Sequence, residues 1–402
     1  MEERVAMFRE WDSGAFKVSE LAERYGVSRE TFCVWNRRRQ SGEERWFEER
    51  SRAPKHCAHA TPEKMVEQIV AMRRRFPRFG GEKIKAKLIE ERPNVTWPAP
   101  STIGDILKRQ GLIVAGGRRR RPISTGEIVA RAQRPNEEWS IDFKGWFRAL
   151  NGDRCDPLTV EDTATRYLLD ARIIKPTGAN VRQVLERLFA EAGLPEAFRS
   201  DNGSPFGSTG AGGLTKLSVW WLKLEIEPHY IPPASPQDNG GHERMHRTLG
   251  EQTSQPPAET PLEQQVRFDR FRQHYNEERP HAALNQTPPA KHWRPSPRQL
   301  PERIPEPWYD ASHEVRRVRP PGTIKWRGAE VFVGEALAGE LVGLAELENG
   351  GHIVRFCTHN LGVISRDLRF LRFAPPRARR RVAQETQNNE SVRDVAGANC
   401  QG

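Results

Sequence analysis

Between residues 138 and 290, apolar runs of strand length alternate with longer segments that have the spacing of amphipathic helices. Candidate strands are EWSIDFKGWF, DPLTVEDTA, RYLLDARII, AFRSD and EPHYIPP; candidate helices are NVRQVLERLFAEAG, the Leu217–Leu224 segment, HERMHRTLGEQTS and QQVRFDRFRQHYNEE. Three strands in succession, followed by strands interleaved with helices, predict a mixed α/β sheet with helices on its faces. Ligands of such sheets usually lie beyond the ends of the strands.

Three carboxylates occupy distinctive places in this pattern. Asp142 lies between Ile141 and Phe143 in an apolar run, where an unpaired charge would be costly. Asp201 ends a strand and leads into an Asn-Gly turn, and Glu243 lies early in a polar helix. Three acids brought together in this way form an oxygen-rich site, which Mg²⁺ or Mn²⁺ prefers.

Each acid also has an ordinary interpretation. Asp142 could pair with Lys144 on the same face of its strand. Asp-Asn-Gly is a common turn, and the helix dipole favours an acid such as Glu243 near a helix start. The order of the three acids, at a strand, a strand end and a helix, favours a shared site. Asp162, at another strand end, is interpreted as a supporting or structural acid rather than as a ligand.

The charge of the chain indicates its class of partner. The formal net charge is +11 and the sequence pI is about 9.7, which favours a polyanion, with nucleic acid ahead of a membrane surface. No apolar run approaches the roughly 20 residues of a membrane span, and no secretory signal is visible, so a cytoplasmic protein is expected. The five cysteines include no CxxC pair, which supports neither a disulfide framework nor a zinc site.

The N-terminal region has the pattern of a helix-turn-helix between residues 18 and 39. Gly26 suits the positive φ of a tight turn, and Ser28 is a candidate N-cap for a second helix whose Phe32 and Trp35 face inward. The outward positions of that helix include three candidate DNA-binding residues, Arg29, Asn36 and Arg37. An ordinary helical hairpin with a solvated basic face is the alternative.

A second helical unit and a basic segment follow. Residues 57–114 loosely resemble another helix-turn-helix, with Ser101 as a candidate cap of its last helix; a helical spacer is the alternative. Four consecutive arginines then stand in a Gly/Pro context, where they are expected either to follow DNA phosphates or to form a solvated arm. These candidate DNA-binding residues are Arg118, Arg119, Arg120 and Arg121.

The sequence therefore predicts a multidomain chain. The expected parts are a helix-turn-helix domain (1–56), a second helical domain (57–114), a basic linker (115–137), an α/β core (138–290), a Pro-rich linker (291–310), a small β-barrel (311–374) and a disordered tail (375–402). The barrel is expected because short β-rich runs between 311 and 374 are punctuated by glycine. Its basic residues indicate either a further DNA-contacting surface or a solvated face.

The core resembles the catalytic domain of retroviral integrases and of the bacterial insertion-sequence transposases related to them. The Asp, Asp, Glu triad of that family matches Asp142 in WSIDF, Asp201 in SDNG and Glu243 in NGGHERMHRTL. The family's Asn-Gly before the glutamate matches Asn239 and Gly240, and its downstream signature matches YNEERPHAALNQTPPA. The interval between the last two acids is longer than usual because of a loop, GSTGAGGLTKL, and the zinc unit of the retroviral proteins is absent.

The resemblance implies a ribonuclease H-like fold with a mixed five-stranded sheet, and an enzyme that transfers polynucleotide strands. The three acids would be both catalytic residues and ligands of Mg²⁺ or Mn²⁺, with two ions expected. Water would first cut the element end, and the freed 3′-OH would then attack a target strand. No nucleotide cofactor is needed. The implied partners are double-stranded DNA, as terminal inverted repeats and target, and further copies of the chain in a homo-oligomer.

Basic residues near Glu243 are candidates for contact with DNA. Arg244 is adjacent, and His246 and Arg247 lie three and four residues further on, hence on the same side of a helix. Ordinary helix-surface residues are the alternative. Two other functions use parts of the same pattern: a metal-dependent nuclease or resolvase without strand transfer, and a non-catalytic DNA-binding regulator. A regulator has no need for three placed carboxylates.

Overall fold

The computed structural model describes residues 2–49, 60–113, 132–231 and 240–373. Three expectations lie outside these ranges: the phosphate contacts of Arg118–Arg121, the disorder of 375–402, and Asn239 of the Asn-Gly pair. Most of the expected basic linker lies outside them as well. The chain divides into two compact units, 1–63 and 64–402, which are described separately. Within the described ranges, no helix combines the length and the apolar character that a membrane span requires.

Among its described residues, the first unit contains three helices, α1 (Glu2–Asp12), α2 (Val18–Arg24) and α3 (Arg29–Gln40). Gly26 has a φ of 61°, and the Ser28 side chain accepts a hydrogen bond from the Thr31 backbone N–H at 3.0 Å, so the predicted turn and cap are both confirmed. Phe32 is buried and stacks on Phe8 with ring centroids 4.6 Å apart. The helical elements are therefore present, and their DNA-binding role stays a prediction.

The second unit begins with α4 (Glu63–Arg75), α5 (Gly81–Glu91) and α6 (Pro100–Arg109), which surround a common apolar cluster. The start of α5 packs directly on the carbonyl of Pro100, where a Cβ on Gly81 would collide. The expected cap at Ser101 is wrong, because Ala99 holds the N-cap position and Pro100 the first helical turn. Proline suits that position, since its missing N–H has no helical partner there.

The centre of the second unit is a five-stranded sheet. Its strands are β1 (Glu138–Phe143), β4 (Pro157–Asp162), β5 (Leu168–Ile173), β6 (Ala197–Ser200) and β7 (Glu227–Tyr230), and a small hairpin of β2 (Phe147–Arg148) and β3 (Arg154–Cys155) lies between the first two. The order is β5-β4-β1-β6-β7. Strand β1 pairs antiparallel with β4 and parallel with β6, which confirms the predicted mixed sheet.

Four helices cover this sheet, namely α7 (Gly178–Ala192), α8 (Lys216–Lys223), α9 (Gly240–Thr253) and α10 (Pro261–Glu277). Trp220 and Trp221 of α8 are buried in the main core. Val219 and Leu222, on the other side of α8, belong to a different apolar cluster, which lies under the C-terminal sheet. Helix α8 is therefore buried on two sides and joins the two cores.

The C-terminal part contains β8 (His313–Arg317), β9 (Thr323–Trp326), β10 (Ala329–Phe332), β11 (Leu341–Glu346), β12 (His352–Phe356), β13 (His359–Ile364) and β14 (Phe370–Arg372). Five of these strands form one antiparallel sheet in the order β14-β13-β12-β11-β8, and β9 pairs with β10 in a separate ribbon. The predicted β-rich character is confirmed. Closure of these strands into a barrel stays a prediction, because their hydrogen-bonded order is open.

Candidate active site

Asp142 and Asp201 lie at the carboxyl ends of neighbouring parallel strands. Strand β1 pairs with β6 in a register that joins Glu138 to Ala197 and Ser140 to Arg199. The same register, carried two residues further along both strands, sets Asp142 opposite Asp201. The turn after β6 holds the second acid in place, because the Gly203 backbone N–H donates to Asp201 Oδ1 at 3.1 Å. The sheet thus brings these two acids together at the carboxyl ends of its parallel strands.

Glu243 approaches the same end of the sheet from the first turn of α9. Its carboxylate is exposed, whereas Asp142 is half-buried. Burial, together with the neighbouring charges of Asp201 and Glu243, raises the pKa of Asp142 to about 7. Three carboxylates therefore repel one another across a short gap, and a divalent cation held by oxygen ligands would relieve that repulsion.

Thr159 lies behind Asp142, directly opposite it on β4. The Thr159 hydroxyl donates to the backbone carbonyl of Asp142 at 3.2 Å. It is also 2.7 Å from Nε2 of His242 and 2.6 Å from Nε2 of His246, two residues one turn apart on α9. Ligand atoms of Asp142 and both histidines lie within 4.8 Å of one another, so this group is a possible second donor set for a metal ion.

His242 is buried and His246 is half-buried, and both are electrically neutral near pH 7. Burial lowers the pKa of His242 well below its ordinary value, and the nearby His246 and Arg166 lower it further. Burial and the charge of Lys144 lower the pKa of His246 to about 3. Glu161 lies 3.7 Å from Nδ1 of His242, and burial raises the pKa of this acid to about 7. The polar groups behind Asp142 therefore carry little charge near neutral pH.

Two family models, both described as the integrase core domain, match residues 132–236 and 224–289. Residues 132–289 of the chain therefore match an integrase core domain. The chain is 29% identical, over 59% of its length and 67% of the relative, to the insertion element IS476 uncharacterized 39.2 kDa protein of Xanthomonas euvesicatoria. It is 28% identical, over 57% of its length and 80% of the relative, to the insertion element IS407 uncharacterized 31.7 kDa protein of Burkholderia multivorans.

A solved structure of the HTLV-2 integrase catalytic core domain is also similar, at 13% identity and a TM-score of 0.32, over 40% of this chain and 99% of that one. The integrase core of the present chain makes it an enzyme of the polynucleotidyl transferase class.

The remaining candidate residues of the integrase core lie around Glu243. Arg244 and Arg247 are exposed on α9, where they are free to meet a phosphate backbone. His246 has a different setting from the one expected, because it is half-buried against Thr159 and neutral. Lys144 also faces α9, since a Cβ on Gly250 would lie 2.9 Å from its Nζ.

In the first unit, the candidate DNA-binding residues occupy one helix. Arg29 and Arg37 of α3 are exposed, as expected, and Asn36 is half-buried. The Arg37 Nε–H donates to the carbonyl of Cys33 at 3.4 Å, one turn earlier in the helix. The surface of α3 is thus basic, and it is accessible at Arg29 and Arg37.

Two residues that support the site, Thr159 and Asn276, are not predicted by the sequence. Thr159 has no signal of its own, because only the pairing of β1 with β4 sets it opposite Asp142. Asn276, inside the downstream signature, is buried, and its side-chain amide accepts from the backbone N–H of Leu168 and donates to the carbonyl of the same residue. This asparagine fastens α10 to the edge strand β5, so part of the signature has a structural role.

Proposed function

We propose that this chain is an insertion-sequence transposase that cuts DNA at the ends of its element and joins the freed 3′-OH to target DNA. The observation that supports this proposal best is the convergence of Asp201 and Glu243 on Asp142, which raises the pKa of that acid. The net charge of +11 adds a preference for a polyanionic substrate. The insertion-element relatives agree with this assignment.

The donor set suits a divalent metal of the hard class. Asp142, Asp201 and Glu243 offer carboxylate oxygens, which are the ligands that Mg²⁺ and Mn²⁺ prefer. We propose that Asp142, Asp201 and Glu243 would together hold two such ions. When bound, the ions supply an activated attacking oxygen and stabilise the leaving oxygen of an in-line displacement.

The residues of the chain itself supply position and charge. Strand pairing holds Asp142 and Asp201 in a fixed relation, which a mobile loop could not do. Arg244 and Arg247 on α9 would hold the phosphates on either side of the scissile bond and favour the charge that spreads over the reacting phosphate. Lys144, half-buried beside α9, adds a third cation on the inner side of that helix.

Recognition of DNA is assigned to the other parts of the chain. Arg29, Asn36 and Arg37 on α3 would read the terminal inverted repeats, as the second helix of a helix-turn-helix does in the major groove. The arginine run at 118–121 would add contacts to phosphates that do not depend on sequence. Because two ends of an element must be processed together, we expect the active form to be a homo-oligomer.

A strand-transfer assay tests the proposal. It combines the purified chain, Mg²⁺ or Mn²⁺, a labelled duplex with the terminal sequence of its element, and a target plasmid. Asp142→Ala is compared with Asp105→Asn, which changes an exposed acid of α6. Metal-dependent joined products that disappear only in the Asp142 variant are the expected result. Cleavage without joining would instead identify a nuclease, and binding without either reaction would identify a regulator.

A further inference from the structure

The position of Glu243 depends on how α9 is held against the sheet. Glu243 is exposed, and the residue before it and the residue three positions after it turn inward to one hydroxyl group. We propose that Thr159, His242 and His246 form a clamp that fixes the rotation of α9 and so positions Glu243 relative to Asp142. This proposal rests on the proposed function, because it assigns Glu243 to the same metal site.

The hydrogen-bond capacity of Thr159 determines how the clamp is built. A hydroxyl has one proton to donate and can accept two, and the carbonyl of Asp142 can only accept. The hydroxyl therefore donates to that carbonyl, as its 3.2 Å contact indicates, and accepts from Nε2–H of both histidines at 2.7 and 2.6 Å. This arrangement pairs the hydroxyl with the carbonyl and both imidazoles, gives both imidazoles the Nε2–H tautomer, and leaves the buried Nδ1 of His242 without a hydrogen bond.

Through one atom, the hydroxyl oxygen of Thr159, the clamp connects strand β1, which bears Asp142, to helix α9, which bears Glu243. One contact goes to the backbone of Asp142 itself, and the other two go to α9 on the same side of the helix. At 100° per residue, His242 and His246 lie about 40° apart around the helix axis, so together they oppose rotation in either direction. His242 is almost fully buried, which leaves it little freedom to move.

The required precision explains why such a clamp matters. A carboxylate about 6 Å from the axis of a helix moves by about 2 Å when the helix rotates by about 20°. Functional groups at a site must be held to within about 0.5 Å. A rotation that the apolar contacts of α9 could absorb would therefore be enough to separate Glu243 from its partners.

The clamp also keeps both imidazole Nε2 atoms occupied. With its proton in a hydrogen bond to Thr159, neither atom offers a lone pair to a metal. The carboxylates are then the available ligands at this edge, which suits Mg²⁺ and Mn²⁺ better than metals that prefer nitrogen. Thr159 is thus a positioning residue, and it acts on the metal site through Glu243 and through the ligand set.

The test compares two substitutions of Thr159 in the full chain. Thr159→Val keeps the shape but removes the hydroxyl, and Thr159→Ser keeps the hydroxyl. Mn²⁺ affinity is measured without DNA from the electron paramagnetic resonance signal of the free ion, and strand transfer is measured against Mn²⁺ concentration. We expect Thr159→Val to weaken Mn²⁺ binding about tenfold or more, and Thr159→Ser to stay within about threefold of the wild type.

A buried threonine in the turn directly after β4 provides the matched control. Thr163 donates to the carbonyl of Glu138 at 3.0 Å, away from the clamp, so Thr163→Val removes a comparable hydrogen bond. It should leave Mn²⁺ affinity unchanged. His246→Leu breaks the clamp from the other side and should reproduce the loss even if Thr159→Val does not fold.

The outcomes separate this proposal from the function on which it rests. Normal Mn²⁺ affinity in Thr159→Val and His246→Leu, together with its loss in Asp142→Asn, would overturn the clamp and leave the metal site standing. Normal Mn²⁺ affinity in Asp142→Asn as well would overturn the metal site itself. Equal losses in Thr163→Val and Thr159→Val would show that the effect is general destabilisation and not positioning.

Discussion

Replacement of Asp142 by asparagine should stabilise the metal-free protein while it abolishes activity. Burial and the charges of Asp201 and Glu243 raise the pKa of Asp142 to about 7, so the folded protein resists ionisation of this carboxyl group. The unfolded chain does not resist it, because there the acid is solvated and its pKa is near 3.8. Asparagine has nearly the same shape as aspartic acid but does not ionise, so its burial carries no such cost.

The size of this gain follows from the shift. A rise of about three pKa units corresponds to about 4 kcal/mol at 1.36 kcal/mol per unit, as an upper estimate. Well below pH 3.8 both states of the wild type hold the proton, so the gain is absent, and it is still small at about pH 4. As the pH rises towards 7, the unfolded state loses its proton first and the wild type is progressively destabilised. The difference between variant and wild type is complete above about pH 7.

Denaturant unfolding in EDTA at about pH 4, 6 and 8, followed by tryptophan fluorescence, measures this difference. Trp139, Trp220 and Trp221 lie in the core beside the site and report its unfolding. Asp105→Asn, on the exposed side of α6, should show no pH-dependent gain. A difference between Asp142→Asn and wild type that is constant from pH 4 to pH 8 would refute the reasoning, as would a variant less stable at pH 8.

Four further outcomes are expected. Asp201→Asn should remove cleavage and joining but leave DNA affinity in a filter-binding assay nearly unchanged; retained activity would exclude this acid from the site. Arg247→Ala should reduce the slope of log affinity against log salt by about 1, and an unchanged slope would mean that it contacts no phosphate. Asn276→Ala should cost about 3 kcal/mol in urea unfolding, because it leaves both backbone groups of Leu168 unpaired; a loss below about 1 kcal/mol would contradict this. Deletion of residues 1–60 should abolish binding specific for the element end while general DNA binding persists, and specific binding by the truncated chain would exclude the helix-turn-helix role.

The strands and helices of the core were predictable because each has a local pattern. The five strands of the sheet are apolar runs bounded by turns, and all five form where they were predicted. The hairpin of β2 and β3 was missed, because strands of two residues are too short to show an alternating pattern. Cap assignment at Ser101 failed for a related reason, since serine and proline both favour helix starts and only the folded chain shows which is used.

The clamp could not be found from the sequence, because it depends on contacts between distant residues. Thr159 and His246 are 87 positions apart, and only the pairing of β4 with β1 and the packing of α9 bring them together. The spacing of HERMH predicts that His242 and His246 share a side of the helix, but not whether that side is buried. The three acids were found because they match a family pattern as a set.

Helix α8 has a consequence for how such proteins can exchange parts during evolution. Its two sides belong to different cores, with Trp221 in one and Leu222 in the other. A recombination event that brought in a foreign C-terminal sheet would therefore meet the old surface of α8, with apolar side chains shaped for its former neighbour. A successful exchange would therefore have to include α8 together with the C-terminal sheet. The segment that must be exchanged as one piece thus begins inside the integrase core, well before the C-terminal strands.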